Sequence, residues 1–214
     1  MPNSNNFFKL LSIFLLGTII GFSIDKVQLP FPAVSSITDT ESVRVMGYQN
    51  APITMTEYSD FQCPLCKQFV DTSFATLKEK YIDTGKVKFV YKQFPLGIHP
   101  QANDAALAAE CALAQGKFWE MHDALFQNQL LWSGRDNHMD SFKKFAADLK
   151  LDTGKFADCL SSRKYDGNVK KDYQEGITRS INGTPTFYLN DQVIVGAQPL
   201  QTFTEAIDAK LKSI

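Results

Sequence analysis

The sequence predicts one α/β domain carrying a helical insertion, preceded by an apolar N-terminal segment. Three observations carry this reading. Strand-like and helix-like segments follow one another as strand–helix–strand, then a long helical stretch, then strand–strand–helix. The pair Cys63-Pro64-Leu65-Cys66 stands where an apolar strand gives way to a helix. Residues Phe7–Ile24 are apolar apart from Lys9 and small polar residues.

The N-terminal segment addresses the chain. Its uninterrupted part, Leu10–Ile24, spans 15 residues, the length of a signal-peptide core. Phe7 and Phe8, with Lys9 snorkelling, extend it to a marginal membrane span. No clean A-x-A cleavage signal follows, and Phe31-Pro32-Ala33 matches poorly. That favours an uncleaved single-pass anchor over residues 1–26, with a cleaved signal peptide as the other reading. Lys9 and the amino terminus are the only positive charges before the span, so the N-terminus faces inside. Everything after Asp25 is then outside the cytoplasm, in the periplasm or at the cell surface, or secreted if cleavage occurs. Residues 27–42, with Pro30 and Pro32, read as a linker.

The domain fills residues 43–214. Val43–Tyr48 is a short candidate strand, and Ile53–Tyr58 alternates as a core strand. Phe69, Phe74, Leu77 and Tyr81 predict a helix from Cys63 to about Tyr81, closed by Asp83-Thr84-Gly85. Val87–Tyr91 is a second core strand. From about residue 100 to 180 the pattern is helical, with successive apolar faces at Ala105–Leu113, Phe118–Phe126, Phe142–Leu149 and Phe156–Leu160. Strands return at Thr186–Leu189 and Val193–Val195, and Pro199 to Leu211 closes the chain as a helix. Asp83-Thr84-Gly85 and Asp152-Thr153-Gly154 abut helices, so they read as turns rather than protease motifs.

Composition narrows the function. A hydrophobic share of 44% supports a packed core rather than a disordered tail. The net charge of −1, with no basic run, argues against a nucleic-acid partner. The cysteine pair begins a helix, where free N–H groups and the positive dipole end favour a thiolate. Such a pair reads as a redox dithiol. Zinc is the rival, but Cys111 and Cys159 are isolated and the histidines show no H-x₃₋₅-H spacing. Neither a metal nor another cofactor is expected.

Three motifs in order then carry a family resemblance: Tyr58-Ser59-Asp60-Phe61-Gln62-Cys63-Pro64-Leu65-Cys66, Gly116-Lys117-Phe118-Trp119-Glu120-Met121-His122, and Asn182-Gly183-Thr184-Pro185-Thr186-Phe187. From about Ser42 to Leu211 the chain resembles DsbA-like thiol–disulfide oxidoreductases of the thioredoxin superfamily. The resemblance implies a thioredoxin-like fold with an inserted helical subdomain. It implies exchange of disulfides with extracytoplasmic cysteine-containing proteins, most naturally as a disulfide donor re-oxidised by a membrane quinone-linked partner. A reductase or isomerase role is the alternative, and a non-catalytic envelope chaperone is a second.

Roles follow residue by residue. Cys63, nearer the helix start, is the expected attacking thiol, and Cys66 the resolving one. Thr184-Pro185 matches a cis-proline loop that faces the dithiol and pairs with substrate backbone. Glu57, six residues before Cys63, matches a buried proton-transferring acid, with a partner lysine sought at Lys88 or Lys92. Cys111 and Cys159 are expected to form a structural disulfide, because an oxidising compartment and an even cysteine count suggest two pairs. Two buried free thiols are the other reading. His99, His122, His138, Phe118 and Trp119 are expected to pack or face solvent rather than react.

Overall fold

The computed structural model describes residues 44–214. The anchor and linker predicted for residues 1–42 lie outside the described residues. Among the described residues no helix is long and apolar enough to cross a membrane.

Five strands form one sheet: β1 (Val45–Met46), β2 (Ile53–Ser59), β3 (Val87–Gln93), β4 (Thr186–Leu189) and β5 (Gln192–Val195). Their order is β1-β3-β2-β4-β5. Only β2 and β3 run parallel, and the other neighbours are antiparallel. β2 extends one residue past its apolar pattern, to Ser59, and β3 two residues, to Gln93, and these ends pair with each other. The extension is invisible to hydropathy because its residues are polar yet buried.

The helical run α1 covers residues 64–82. It mixes α turns (Pro64–Phe69, Ala75–Leu77) with π turns (Val70–Phe74, Lys78–Ile82). The wider π turn explains why Phe69 and Phe74, five residues apart, share one core, their rings 6.1 Å apart. Phe69 also packs on Phe187 of β4 at 4.5 Å, which seats α1 on the sheet.

The insertion comprises α2 (Ala102–Leu113), α3 (Phe118–Gln127), α4 (Gln129–Trp132), α5 (His138–Asp148), α6 (Thr153–Ser161) and α7 (Asp166–Thr178). Phe118, Trp132, Phe142 and Phe156 fill its core, which is continuous with Cys63, Cys66 and Tyr91. Cys111 on α2 is bonded to Cys159 on α6, with Cα atoms 5.9 Å apart. Of the two turn motifs, Asp152 caps α6 by accepting from the Lys155 N–H. The closing helix α8 (Leu200–Lys212) packs Phe203 against Phe69 and Phe187.

Gly176 of α7 matches a tight approach. A Cβ there would lie 2.4 Å from the Phe94 ring, so glycine alone lets the helix settle on the residues that follow β3.

Candidate active site

Cys63 is the N-cap of α1, with extended backbone (φ −72°, ψ 125°), and Pro64 opens the helix. Proline suits this place, since its fixed φ is helical and its missing N–H would be unpaired there. Cys63 and Cys66 are free thiols in this structure. The Cys63 thiol is held well below its ordinary value, at about 6, chiefly by the neighbouring Cys66 side chain. The Thr184 hydroxyl and the backbone N–H groups of Cys66 and Leu65 add to the effect. Cys66 shifts the opposite way: complete burial pushes its thiol far up, and the nearby Cys63 and Glu57 add to that. One motif therefore holds an acidic, outer sulfur and a basic, inner one.

Thr184–Pro185 is a cis peptide bond, and the Thr184 carbonyl accepts from Cys63 Sγ at 3.4 Å. The loop lies directly against the outer thiol. Its far side is tied down, since Gly196 N donates to the Pro185 carbonyl and Thr186 Oγ1 to that of Gly183.

Glu57 lies on β2 with its side chain on the α1 face, between Tyr91 of β3 and Phe187 of β4 in register. Burial raises its carboxyl to about 8, a shift that Ser59 opposes and Cys63 reinforces. Neither carboxyl oxygen has a hydrogen-bond partner among the described residues. The lysine expected beside it is not there. Lys92 points to the other face of the sheet, toward Asp172 and Glu175 at 3.5 and 3.1 Å, because neighbouring strand residues alternate sides. Tyr91 takes the facing position instead.

Sequence reasoning missed the residues that hold the loop before Cys63. Asp60 accepts from Gln62 N at 2.7 Å and Leu96 N at 2.8 Å, and meets His99 Nδ1 at 2.7 Å. Its own N–H points to Cys66 Sγ at 3.4 Å, and its carbonyl accepts from Cys63 N. His99 is thus a site-supporting residue rather than a bystander. Gln129 of α4 donates to the Phe61 and Cys63 carbonyls at 2.7 and 3.2 Å, linking insertion to dithiol. The available signal was local: an Asp two residues before Gln62 is an Asx-turn pattern. The partners 39 and 66 residues away left none.

The comparisons agree with this geometry. The thioredoxin family model Thioredoxin_4 matches residues 39–209. The probable disulfide bond formation protein D of Bacillus cereus is 32% identical over 174 residues, covering 78% of each chain. Crystal structures of oxidised BdbD from Bacillus subtilis and of Wolbachia pipientis alpha-DsbA1 superpose with TM-scores of 0.72 at 29% and 28% identity. Each covers 79% of this chain, and 92% and 91% of the other. A longer relative, the Na(+)/H(+) antiporter NhaA 3 of Salinispora tropica, is 34% identical over 88% of this chain. The chain spans only 27% of that protein's length. With the acidic and buried thiols of one Cys-x-x-Cys, the cis-proline loop and the inserted helices in place, the chain belongs to the thioredoxin superfamily, among its DsbA-like thiol–disulfide oxidoreductases.

Proposed function

We propose that the protein donates the Cys63–Cys66 disulfide to cysteine-containing proteins outside the cytoplasm. The observation that carries this is the opposed pair of thiols, Cys63 lowered to about 6 and Cys66 raised by burial. A thiolate stabilised in the dithiol form makes the disulfide form the better oxidant.

In this reading a substrate thiolate attacks Cys63 Sγ. The Cys63–Cys66 bond breaks and Cys66 leaves as a thiolate. Burial disfavours that charge, so Cys66 takes the proton of the Glu57 carboxyl, which is protonated below about pH 8. A second substrate thiolate then attacks the substrate sulfur of the mixed disulfide and releases Cys63 as a stabilised thiolate. The substrate loses two electrons and the dithiol gains them. Thr184 and Pro185 hold the substrate backbone against Cys63 during both steps. A membrane quinone-linked partner re-oxidises the pair, and Phe7–Ile24 tethers the domain near it. Cys111–Cys159 acts as a structural bridge.

The test is the reduction potential of Cys63–Cys66, measured by equilibration with glutathione, together with oxidation of a dithiol peptide. A potential well above thioredoxin's ~−270 mV, with rapid peptide oxidation, supports the donor role. A potential near that value, with insulin reduction, identifies a reductase. Peptide binding without turnover identifies a chaperone.

A further inference from the structure

Glu57, Ser59 and Tyr91 share the α1 face of the sheet. Glu57 and Ser59 are two residues apart on β2, and Glu57 stands opposite Tyr91 in register. All three are almost wholly buried, as is Cys66. Both Glu57 carboxyl oxygens, Ser59 Oγ and Tyr91 Oη lack a hydrogen-bond partner among the described residues. Buried polar groups are nearly always paired, so four unpaired oxygens in one place mark a feature with another use.

Ser59 is central among them. Asp60, its chain neighbour, points its N–H at Cys66 Sγ, which places Ser59 beside that sulfur. The Ser59 hydroxyl eases ionisation of the Glu57 carboxyl, the Cys66 thiol and the Tyr91 phenol alike. A hydroxyl both donates and accepts and turns freely about its C–O bond. Lacking a fixed partner, it can face the thiolate and the carboxyl in turn.

We infer that Ser59 relays the proton between Glu57 and Cys66. This rests on the oxidoreductase reading above. When Cys66 leaves as a thiolate, the Ser59 O–H gives its proton to sulfur and Ser59 Oγ takes the Glu57 proton. Ser59 ends unchanged, Glu57 ends as a carboxylate, and the thiolate ends as a thiol. No oxidant or co-reactant beyond the substrate thiol is needed. The relay contacts tighten as charge develops on sulfur. Tyr91, whose phenol stays protonated through burial, walls the chamber and donates toward the carboxylate left behind.

The titratable groups around these side chains are Cys63 at the N-cap of α1, Cys66 within it, Glu57 of β2, Asp60 just after β2, Tyr91 of β3, and His122 of α3, whose ring lies 5.4 Å from that of Tyr91. Burial holds His122 neutral, so it adds no titration of its own near pH 7.

The test is stopped-flow oxidation of a dithiol peptide by the disulfide form of the full chain, from pH 5 to 9, for Ser59→Ala, Ser59→Thr and Glu57→Gln. Ser59→Ala is expected to slow the first exchange about 10-fold, within the usual range for proton transfer by a positioned group. It also weakens the pH limb near 8, because Glu57 can no longer pass its proton through the hydroxyl. Ser59→Thr, which retains the hydroxyl, recovers most of the lost rate, and Glu57→Gln removes the limb. Ser59→Ala matching the unaltered protein at every pH, while Glu57→Gln is impaired, overturns the relay alone. A Ser59→Thr as slow as Ser59→Ala also overturns it, because the effect is then packing. A Glu57→Gln profile equal to that of the unaltered protein overturns the underlying acid assignment instead.

Discussion

The two faces of the sheet bury polar side chains in opposite ways. On the α1 face, beneath Cys66, the oxygens of Glu57, Ser59 and Tyr91 stand unpaired. On the other face, charged groups are tied together. Arg44 bonds Asp172 and lies 3.3 Å from Glu110. Lys92 lies between Asp172 and Glu175, and Tyr58 donates to Glu175 at 2.5 Å. The backbone N–H of Gln93 donates to Asp172 at 3.0 Å, while its side chain, in register with Ser59, reaches Glu110 of α2 at 3.2 Å. The paired cluster joins β3, α2 and α7, so it fixes the insertion to the sheet. The unpaired cluster makes no such cross-links among the described residues. Burial alone does not assign a polar group to structure or to chemistry; cross-links between elements mark the structural cluster, although Gln93 Oε1 within it also lacks a hydrogen-bond partner.

Breaking the paired side has the largest expected effect. Asp172→Ala removes a buried counter-charge from both cations, leaving Lys92 the part-exposed Glu175 and Arg44 the buried Glu110, and costs about 3–5 kcal/mol. Urea unfolding measures this, while the Cys63 titration stays in place. A Cys63 titration displaced with the stability would show that the two faces are coupled after all.

Removing the bridge with Cys111→Ala and Cys159→Ala together reopens a separation of 48 residues. A loss of about 3–4 kcal/mol is expected, with dithiol oxidation retained. Thermal unfolding and a turnover assay on the same sample separate the two effects. Gly176→Ala places a methyl group in the Phe94 ring and strains the seat of α7. The expected cost is about 1–3 kcal/mol, read as an earlier urea midpoint.

Glu57→Gln acts on the unpaired side, and its mark is a pH slope rather than a loss. The folded carboxyl titrates at about 8 against an ordinary 4.5, so between those values the folded state holds a proton that the unfolded state releases. Stability from this group is full below about 4.5 and falls as pH rises toward 8. Glu57→Gln should flatten that decline, so unfolding curves at pH 5 and 8 draw closer. An unchanged slope would remove Glu57 from the buried titration.

The strand and helix order and the dithiol were legible because each rests on local pattern; the proline loop was legible only through the family resemblance. Cys63-Pro64-Leu65-Cys66 announces a helix start, and Thr184-Pro185 opens a strand. Residues that act across the fold were not. His99 shows no role until Asp60 meets it, and Gln129 looks like any surface glutamine until it reaches the Cys63 carbonyl. Lys92 misled for the same reason: strand alternation puts it on the far face, and only the register shows that Tyr91 faces Glu57.

The central claim is that one motif holds two thiols of opposite character. Thiolate absorbance near 240 nm, followed from pH 3 to 11 in the reduced full chain and in Cys66→Ala, tests it most directly. In the reduced full chain Cys63 should ionise with a midpoint near 6 and Cys66 only well above its ordinary value, whereas in Cys66→Ala, which removes the main stabiliser, the Cys63 midpoint should rise. A first midpoint in the full chain at or above the free-thiol value of ~8.5 would contradict the account.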